Sequence, residues 1–241
     1  MAGIFSASAW RKVWIYRETF LFGLLNTALT AIAALFLSLF LGIIFGLMVT
    51  SGKRGLRFVS RFYIELVQNT PLILQLCFLY YALAFSKNSI GIIPTGIIAI
   101  GIYHGAYMAE VVRAGIESIP RGQFEAAQSQ GFHYAGQMYY IILPQSIKII
   151  LPPMVNQVVN LIKNTSCLYM IGGADLISLT YSFVTGASTG GAYAPAYLVS
   201  GILFFIVCFP LSTMASIWEN ALKKRDIRTN STKASLYTGG S

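Results

Sequence analysis

Charge is what this chain has least of: 8 Asp and Glu and 17 Lys and Arg in 241 residues, or 10% of the sequence. So few carboxylates leave no pair in a polar setting suited to acid–base work. There is also no GxxxxGK[ST] phosphate loop and no Ser/His/Asp or Cys/His arrangement for nucleophilic catalysis. The chain is therefore expected to be no enzyme and to hold no cofactor of its own. Cysteine is sparse as well. Cys77, Cys167 and Cys208 all fall in apolar runs, where a free thiol behaves as a small hydrophobe, and none has metal-ligand spacing. Neither disulfides nor a metal site are expected. The net charge of +9 could suggest nucleic acid. In a chain this apolar, however, Lys and Arg serve better as topology signals and contacts to anionic lipid, so no nucleic-acid partner is expected.

What the chain has in abundance is apolar sequence: 56% hydrophobic residues and a mean hydropathy of +0.65. The expected fold class is an all-α integral membrane protein whose solvent is lipid. Five uninterrupted apolar stretches can span, at about 20–50, 62–85, 92–112, 144–171 and 193–221. About 20 helical residues cross the hydrocarbon, so the longer ones imply tilt or extension into the interface. The first run starts too late and is too long for a cleaved signal peptide.

Orientation follows from the basic residues. The loop SGKRGLRFVSR, residues 110–144 and the C-terminal KKRDIR fall on one side, which should be cytoplasmic; the other side keeps Arg11, Lys12, Arg17 and Lys87. The N-terminus is then outside and the C-terminus cytoplasmic. Arg11, Lys12 and Arg17 dissent from the rule. They sit among Trp10, Trp14 and Tyr16, so residues 1–19 read as an interfacial segment on the outer surface. Residues 20–225 form a single membrane domain. The tail, 226–241, reads as a cytoplasmic segment without regular structure, and the Gly-, Ser- and Thr-rich segment 172–191 as an outer loop or interfacial helix.

Between the third and fourth spans lies a polar passage with helix signals at both ends. Ser118 and Pro120 mark a start, since proline lacks only a donor that the first turn leaves unpaired anyway. Gly131 marks the end, because glycine accepts the left-handed conformation that closes a helix. Glu125, Ala126 and Ala127 lie in the helix between, and two alanines leave room for a close partner.

The spacing Glu125-Ala126-Ala127, then Gly131, then Ile142-Leu143-Pro144 closely resembles the EAA loop of permease subunits of bacterial ATP-binding cassette importers. The segments GAYMAEVVRAGIESIPRGQFEAA (105–127), VQNTPLILQLCFLYYAL (67–83) and NLIKNTSCLYMIGGADL (160–176) resemble the polar amino-acid branch, of the histidine, glutamine and arginine type. The resemblance covers about residues 20–225 and implies a type I importer fold, a MetI-like core of five transmembrane helices with cytoplasmic coupling helices in 117–143. It implies that Gly122, Glu125, Ala126, Ala127 and Gly131 form the surface gripped by two ABC ATPase subunits, which bind the ATP and Mg. It further implies a second permease, identical or related, an extracytoplasmic amino-acid-binding protein, and a place in the bacterial cytoplasmic (inner) membrane. For 172–191 it implies a short helix at the outer mouth of the path.

Polar groups inside spans each need protein or water to face. Asn156, Asn160 and Lys163, at i, i+4 and i+7, share one face of the fourth span. Lys163 either meets a substrate carboxylate in a partly aqueous cavity or snorkels and pairs across a helix interface. In the second span, Pro71 predicts a kink near Asn69, with Gln68 and Gln75 facing the freed carbonyls or joining helices together. Glu65 reads as an ion pair with Arg61 at i−4. On the third span, Tyr107 and Glu110 fall near one face. Glu110 can pair with Arg113 or meet a substrate amino group, and His104 reads as a hydrogen-bonded packing residue.

The function implied is the transmembrane subunit of an ATP-driven importer, forming the path for a polar amino acid by alternating access. Asn156, Asn160, Lys163, Gln68, Tyr107 and Glu110 are the candidate path residues. Two other classes fit the bulk properties: an ion-coupled secondary transporter, disfavoured by the absence of an inverted repeat and of a mid-bilayer carboxylate, and a non-transporting anchor for a soluble partner.

Overall fold

The computed structural model of the chain describes residues 6–86 and 89–238, with side chains described as far as residue 222. Lys87 and the side chains of the C-terminal basic residues thus lie outside the described residues. Among the described residues ten α-helices follow in order: α1 (Ala7–Ile15), α2 (Arg17–Thr50), α3 (Arg54–Gln68), α4 (Leu72–Phe85), α5 (Ile92–Glu117), α6 (Arg121–Ser129), α7 (Tyr134–Gln137), α8 (Leu143–Asn164), α9 (Leu176–Thr185) and α10 (Tyr193–Thr238). A π-helical turn, Met138–Ile142, joins α7 to α8, and a 3₁₀ segment, Thr165–Ile171, continues α8. The described residues contain no strand.

Among the described residues, four helical stretches are long and apolar enough to cross a membrane: Arg17–Thr50, Ile92–Glu117, Tyr134–Ile171 and Tyr193–Leu222. The fifth expected span is a broken pair. Helices α3 and α4 are bent by 100° at Asn69–Pro71, far more than a kink. Pro71 removes one donor and biases Thr70 away from helix, and the carbonyls so released are taken up locally. Gln75 Nε2 donates to Val67 O at 3.0 Å, to Thr70 O at 3.2 Å and to Thr70 Oγ1 at 2.6 Å, and Asn69 Nδ2 donates to Glu65 O at 2.7 Å. Gln75 therefore stabilises the break instead of facing a cavity.

Helices α2 and α5 form the centre of the bundle. Each carries a small-xxx-small pair, Gly42 with Gly46 and Gly101 with Gly105, which lets the backbones approach closely where lipid supplies no hydrophobic drive. A Cβ on Gly42 would stand 2.6 Å from Met108 Cβ, and one on Gly105 2.9 Å from Leu41 Cβ. Buried Ser38 donates to Gly101 O at 3.2 Å across the same contact. Around this pair pack Leu72 and Leu76 of α4, Ile150 and Leu161 of α8 and Leu168 of the 3₁₀ segment.

A second cluster closes the opposite end from α6: Ala9 and Val13 of α1, Phe20 of α2, Leu176, Phe183 and Val184 of α9, and Ala196 of α10. Helix α1 lies here with Trp14 and Ile15 exposed, as an interfacial segment would. Its dissenting basic residues are partly satisfied. Lys12 Nζ donates to Gly190 O at 3.0 Å, and the Arg17 guanidinium lies 5.3 Å from the Trp14 ring centroid. Helix α9 is capped by buried Asp175, whose Oδ2 accepts from Ile177 N–H at 3.0 Å and Ser178 N–H at 3.4 Å. Burial pushes the Asp175 carboxyl above the ordinary carboxylate range, and these hydrogen bonds oppose the shift. Asp175→Ala leaves the first turn of α9 without its cap and is expected to cost about 1–2 kcal/mol. Thermal unfolding in detergent reads this, with Asp175→Asn retaining most of the stability; equal melting of the alanine variant and the parent would refute the capping role.

Other expectations need correction. Ser118 does not begin the loop helix: it closes α5, with Ser118 Oγ donating to Gly115 O at 2.8 Å, because the third span continues to Glu117. Arg61 and Glu65 form no ion pair; Arg61 instead lines a cavity with Glu117 and Tyr134. Among the described residues the ion pairs are Arg113–Glu110 and Arg113–Glu117. The backbone of α10 is helical as far as Thr238, through the tail read as irregular; residues 211–238 contain neither Pro nor Gly to stop it.

Candidate functional site

Two features of the bundle are polar where lipid or core would dictate apolar residues. The first is a cavity of about 210 Å³ between α5 and α8, lined by Tyr103, His104, Tyr107, Gln157, Asn160, Lys163 and Asn164. Tyr103 and Tyr107 stand one turn apart on α5, their hydroxyls 3.1 Å apart, and His104 between them is buried. Helix α8 supplies three amides and the ammonium. Gln157, Asn160 and Asn164 recur at i, i+3 and i+7 and so form one stripe, with Lys163 at its edge. Asn164 Nδ2 lies 3.0 Å from His104 Nε2, tying the two helices together, while His104 Nδ1 has no partner. Lys163 also lines a second groove, of about 360 Å³, against Phe205, Cys208 and Phe209 of α10.

The structure brings together three of the expected path residues, Tyr107, Asn160 and Lys163. It does not bring the other three. Asn156 shares a helix face with Asn160 and Lys163 but is not among the residues lining the cavity, where Gln157 supplies the lining amide one turn before Asn160. Gln68 Nε2 donates to Ala106 O at 3.4 Å and joins α3 to α5. Glu110 is held by Arg113, whose Nε donates to Glu110 Oε2 at 2.8 Å and whose guanidinium also grips Glu117. The cavity consequently holds an ammonium, amides, phenols and an imidazole, and no carboxylate. Gln157 and Asn164 were missed although the signal was present: both are amides inside a span and share a face with Asn160.

The second feature is helix α6. Pro120 precedes it, and Gly131 ends it with φ +82°, where the Phe132 N–H reaches back to Ala127 O at 3.1 Å to close the last turn. Gly122, Glu125, Ala126 and Ser129, at i, i+3, i+4 and i+7, form one exposed face. Ala127 does not belong to it. It is only 2% exposed and turned into the protein, where Gln137 Nε2 donates to the neighbouring Phe124 O at 2.8 Å. A partner docking on α6 therefore meets glycine, glutamate and a single alanine of the motif, while Ala127 seats the helix on the bundle.

Known proteins resemble the chain in sequence and in fold. The chain is 35% identical over 202 residues, 84% of its length and 92% of the relative's, to the probable glutamine ABC transporter permease protein GlnM of Bacillus subtilis (strain 168). It is 30% identical over 206 residues, 86% of its length and 81% of the relative's, to the L-cystine transport system permease protein TcyB of the same organism. A solved amino acid ABC transporter with histidines superposes with a TM-score of 0.79 at 31% identity, covering 87% of this chain and 96% of that one. The methionine transporter MetNI, in an inward-facing conformation, shares the fold with a TM-score of 0.67 at 16% identity, over 84% of this chain and 97% of that one. Residues 38–225 match a single family throughout, and from this match the chain belongs to the binding-protein-dependent transport system inner membrane components, the non-catalytic permease subunits of ABC importers.

Proposed function

We propose that this chain moves a polar amino acid across the bacterial cytoplasmic membrane by alternating access, with α6 and the C-terminus on the cytoplasmic side and α1 and α9 outside. The cavity between α5 and α8 supports the reading most directly: one ammonium, three amides and two phenols lie together inside two spans, and the ion pairs of the chain lie elsewhere among the described residues. Such a group suits a carboxylate-bearing solute with an uncharged polar side chain better than a cationic one, since a buried cation without a partner is costly. Relatives named for glutamine and L-cystine fit that chemistry.

The energy comes from two ABC ATPase subunits that bind ATP and Mg and dock on the exposed face of α6 at Gly122, Glu125 and Ala126. Ala127 and Gly131 shape that helix from behind. A second permease, identical or related, and an extracytoplasmic amino-acid-binding protein complete the assembly. ATPase closure would be transmitted as a rigid-body movement, because α6 is joined to α5 by a short link and seated on the helical run that continues into α8.

The test is a tagged chain purified in mild detergent with its partners and reconstituted into proteoliposomes for uptake of labelled glutamine and cystine. ATP-dependent uptake is expected. Ala126→Cys should crosslink to the ATPase and Ala127→Cys should not, because only the former is exposed. Uptake driven by an ion gradient without ATP, or crosslinking confined to residue 127, would overturn the assignment.

A further inference from the structure

Helix α3 has three faces, and the permease role accounts for one. Ser60, Ile64 and Val67 are buried against α2 and α5, where Ser60 Oγ donates to Phe45 O at 2.5 Å and Tyr63 Oη to Ile102 O at 2.6 Å. Beside them runs a basic stripe, Arg54, Arg57 and Arg61, at i, i+3 and i+7. Beyond that stripe stands an apolar ridge, Phe58, Phe62 and Leu66, at i, i+4 and i+8 and exposed by 72%, 60% and 54%.

The arginines form no ion pair, and the acid within electrostatic reach of Arg61, Glu110, is already held by Arg113. Arg57 Nη2 donates to Ser51 O at 2.9 Å, and neither Arg57 nor Arg61 is in an ion pair. Both line a cavity of about 230 Å³ at the α6 end, with Glu117, Phe124 and Tyr134 on its other walls, and Glu117 is already held by Arg113. At 15 residues, α3 is about 22 Å long, too short to span, and the 100° break separates its course from that of α4. A helix with a basic edge next to an aromatic ridge, emerging from a loop at one end of a membrane bundle, has the pattern of an interfacial lipid-binding helix.

We infer that Arg57 and Arg61 bind the headgroup phosphate of an anionic phospholipid whose acyl chains lie along Phe58, Phe62 and Leu66. The occupant must supply negative charge at the stripe and hydrocarbon at the ridge. A second copy of this chain supplies the charge poorly: it has 8 acidic residues, of which Glu110 and Glu117 are engaged by Arg113 and Asp175 caps α9. A free phosphate would satisfy the arginines and leave the ridge uncovered. Because Phe124 and Tyr134 wall the same cavity, the bound lipid also holds α3 against the segment that carries α6.

The experiment is native mass spectrometry of the purified full chain with its co-purifying partners, titrated with phosphatidylglycerol and with phosphatidylcholine. Wild type is expected to prefer phosphatidylglycerol about 25-fold, the scale of two arginines near an anionic headgroup. Arg57→Gln with Arg61→Gln should weaken phosphatidylglycerol about 25-fold and leave phosphatidylcholine unchanged, while the paired lysine substitutions retain most of the preference. If the double variant does not fold, Arg61→Gln alone decides, with an expected five-fold loss. The inference is overturned by equal affinity of wild type for the two lipids or by an unchanged preference in the variant. It is also overturned by displacement of the lipid with equimolar inorganic phosphate, or by a change from dimer to monomer on light scattering that marks the face as an interface between copies. None of these outcomes depends on which solute is transported.

Discussion

Gly46→Leu is expected to be the most strongly destabilising single substitution in the bundle core. A Cβ at that position would stand 2.6 Å from Val112 Cβ and 2.9 Å from Ala109 O, and the second is backbone that no rotamer change can move. Helices α2 and α5 would have to separate, and the rest of the bundle is built against them. Overpacking of this kind costs about 3 kcal/mol, which corresponds to roughly 6–12 °C of melting temperature in a chain of this size. Fluorescence-detected size exclusion after heating measures it. Gly52→Leu, at a position with nothing within 4 Å, is the matched control and should melt like the parent. If both variants melt alike, the close approach of α2 and α5 is not what holds the bundle.

Lys163→Met and Asn160→Leu are expected to lower uptake by roughly ten-fold or more each, with melting unchanged. Both side chains are exposed to the cavity, so neither removes core packing. A lost charge-assisted hydrogen bond to a substrate carboxylate is worth about 1.5–3 kcal/mol, which sets the ten-fold scale. Asn156→Leu is the discriminating companion: Asn156 does not line the cavity, so its loss should change uptake by less than about two-fold, on the scale of an interaction worth under about 0.5 kcal/mol. Should Lys163→Met transport normally, the ammonium merely snorkels, and the path must be sought on other residues.

Much of the architecture could be read without coordinates. Four apolar runs appear where lipid thickness requires them, Gly131 ends α6 in the left-handed conformation that glycine alone accepts readily, and the Glu125-Ala126-Ala127 spacing leads to a family that residues 38–225 match. The second span shows where such reading stops. Pro71 announces a break, but the bend of 100° depends on Gln75 reaching back to the carbonyls of Val67 and Thr70 and on how α3 packs across α2 and α5. The polar cavity was only partly legible for a similar reason. The polar residues of α8 fall in one broad arc in which Asn156 and Gln157 both flank Asn160, and only the packing against α5 shows that Gln157, and not Asn156, lines the cavity.

By itself the sequence determined the solvent, the spans, the polar loop and the family, because these follow from composition and short-range spacing, which the backbone periodicity converts directly into structure. Tertiary structure alone decided which side chains of a helix meet a neighbour. Ala127 is turned into the protein, and Lys163 is left with the amides in the cavity. Each of these outcomes depends on what a neighbouring helix presents, and a partner from elsewhere in the chain leaves no periodic trace in the residues it engages.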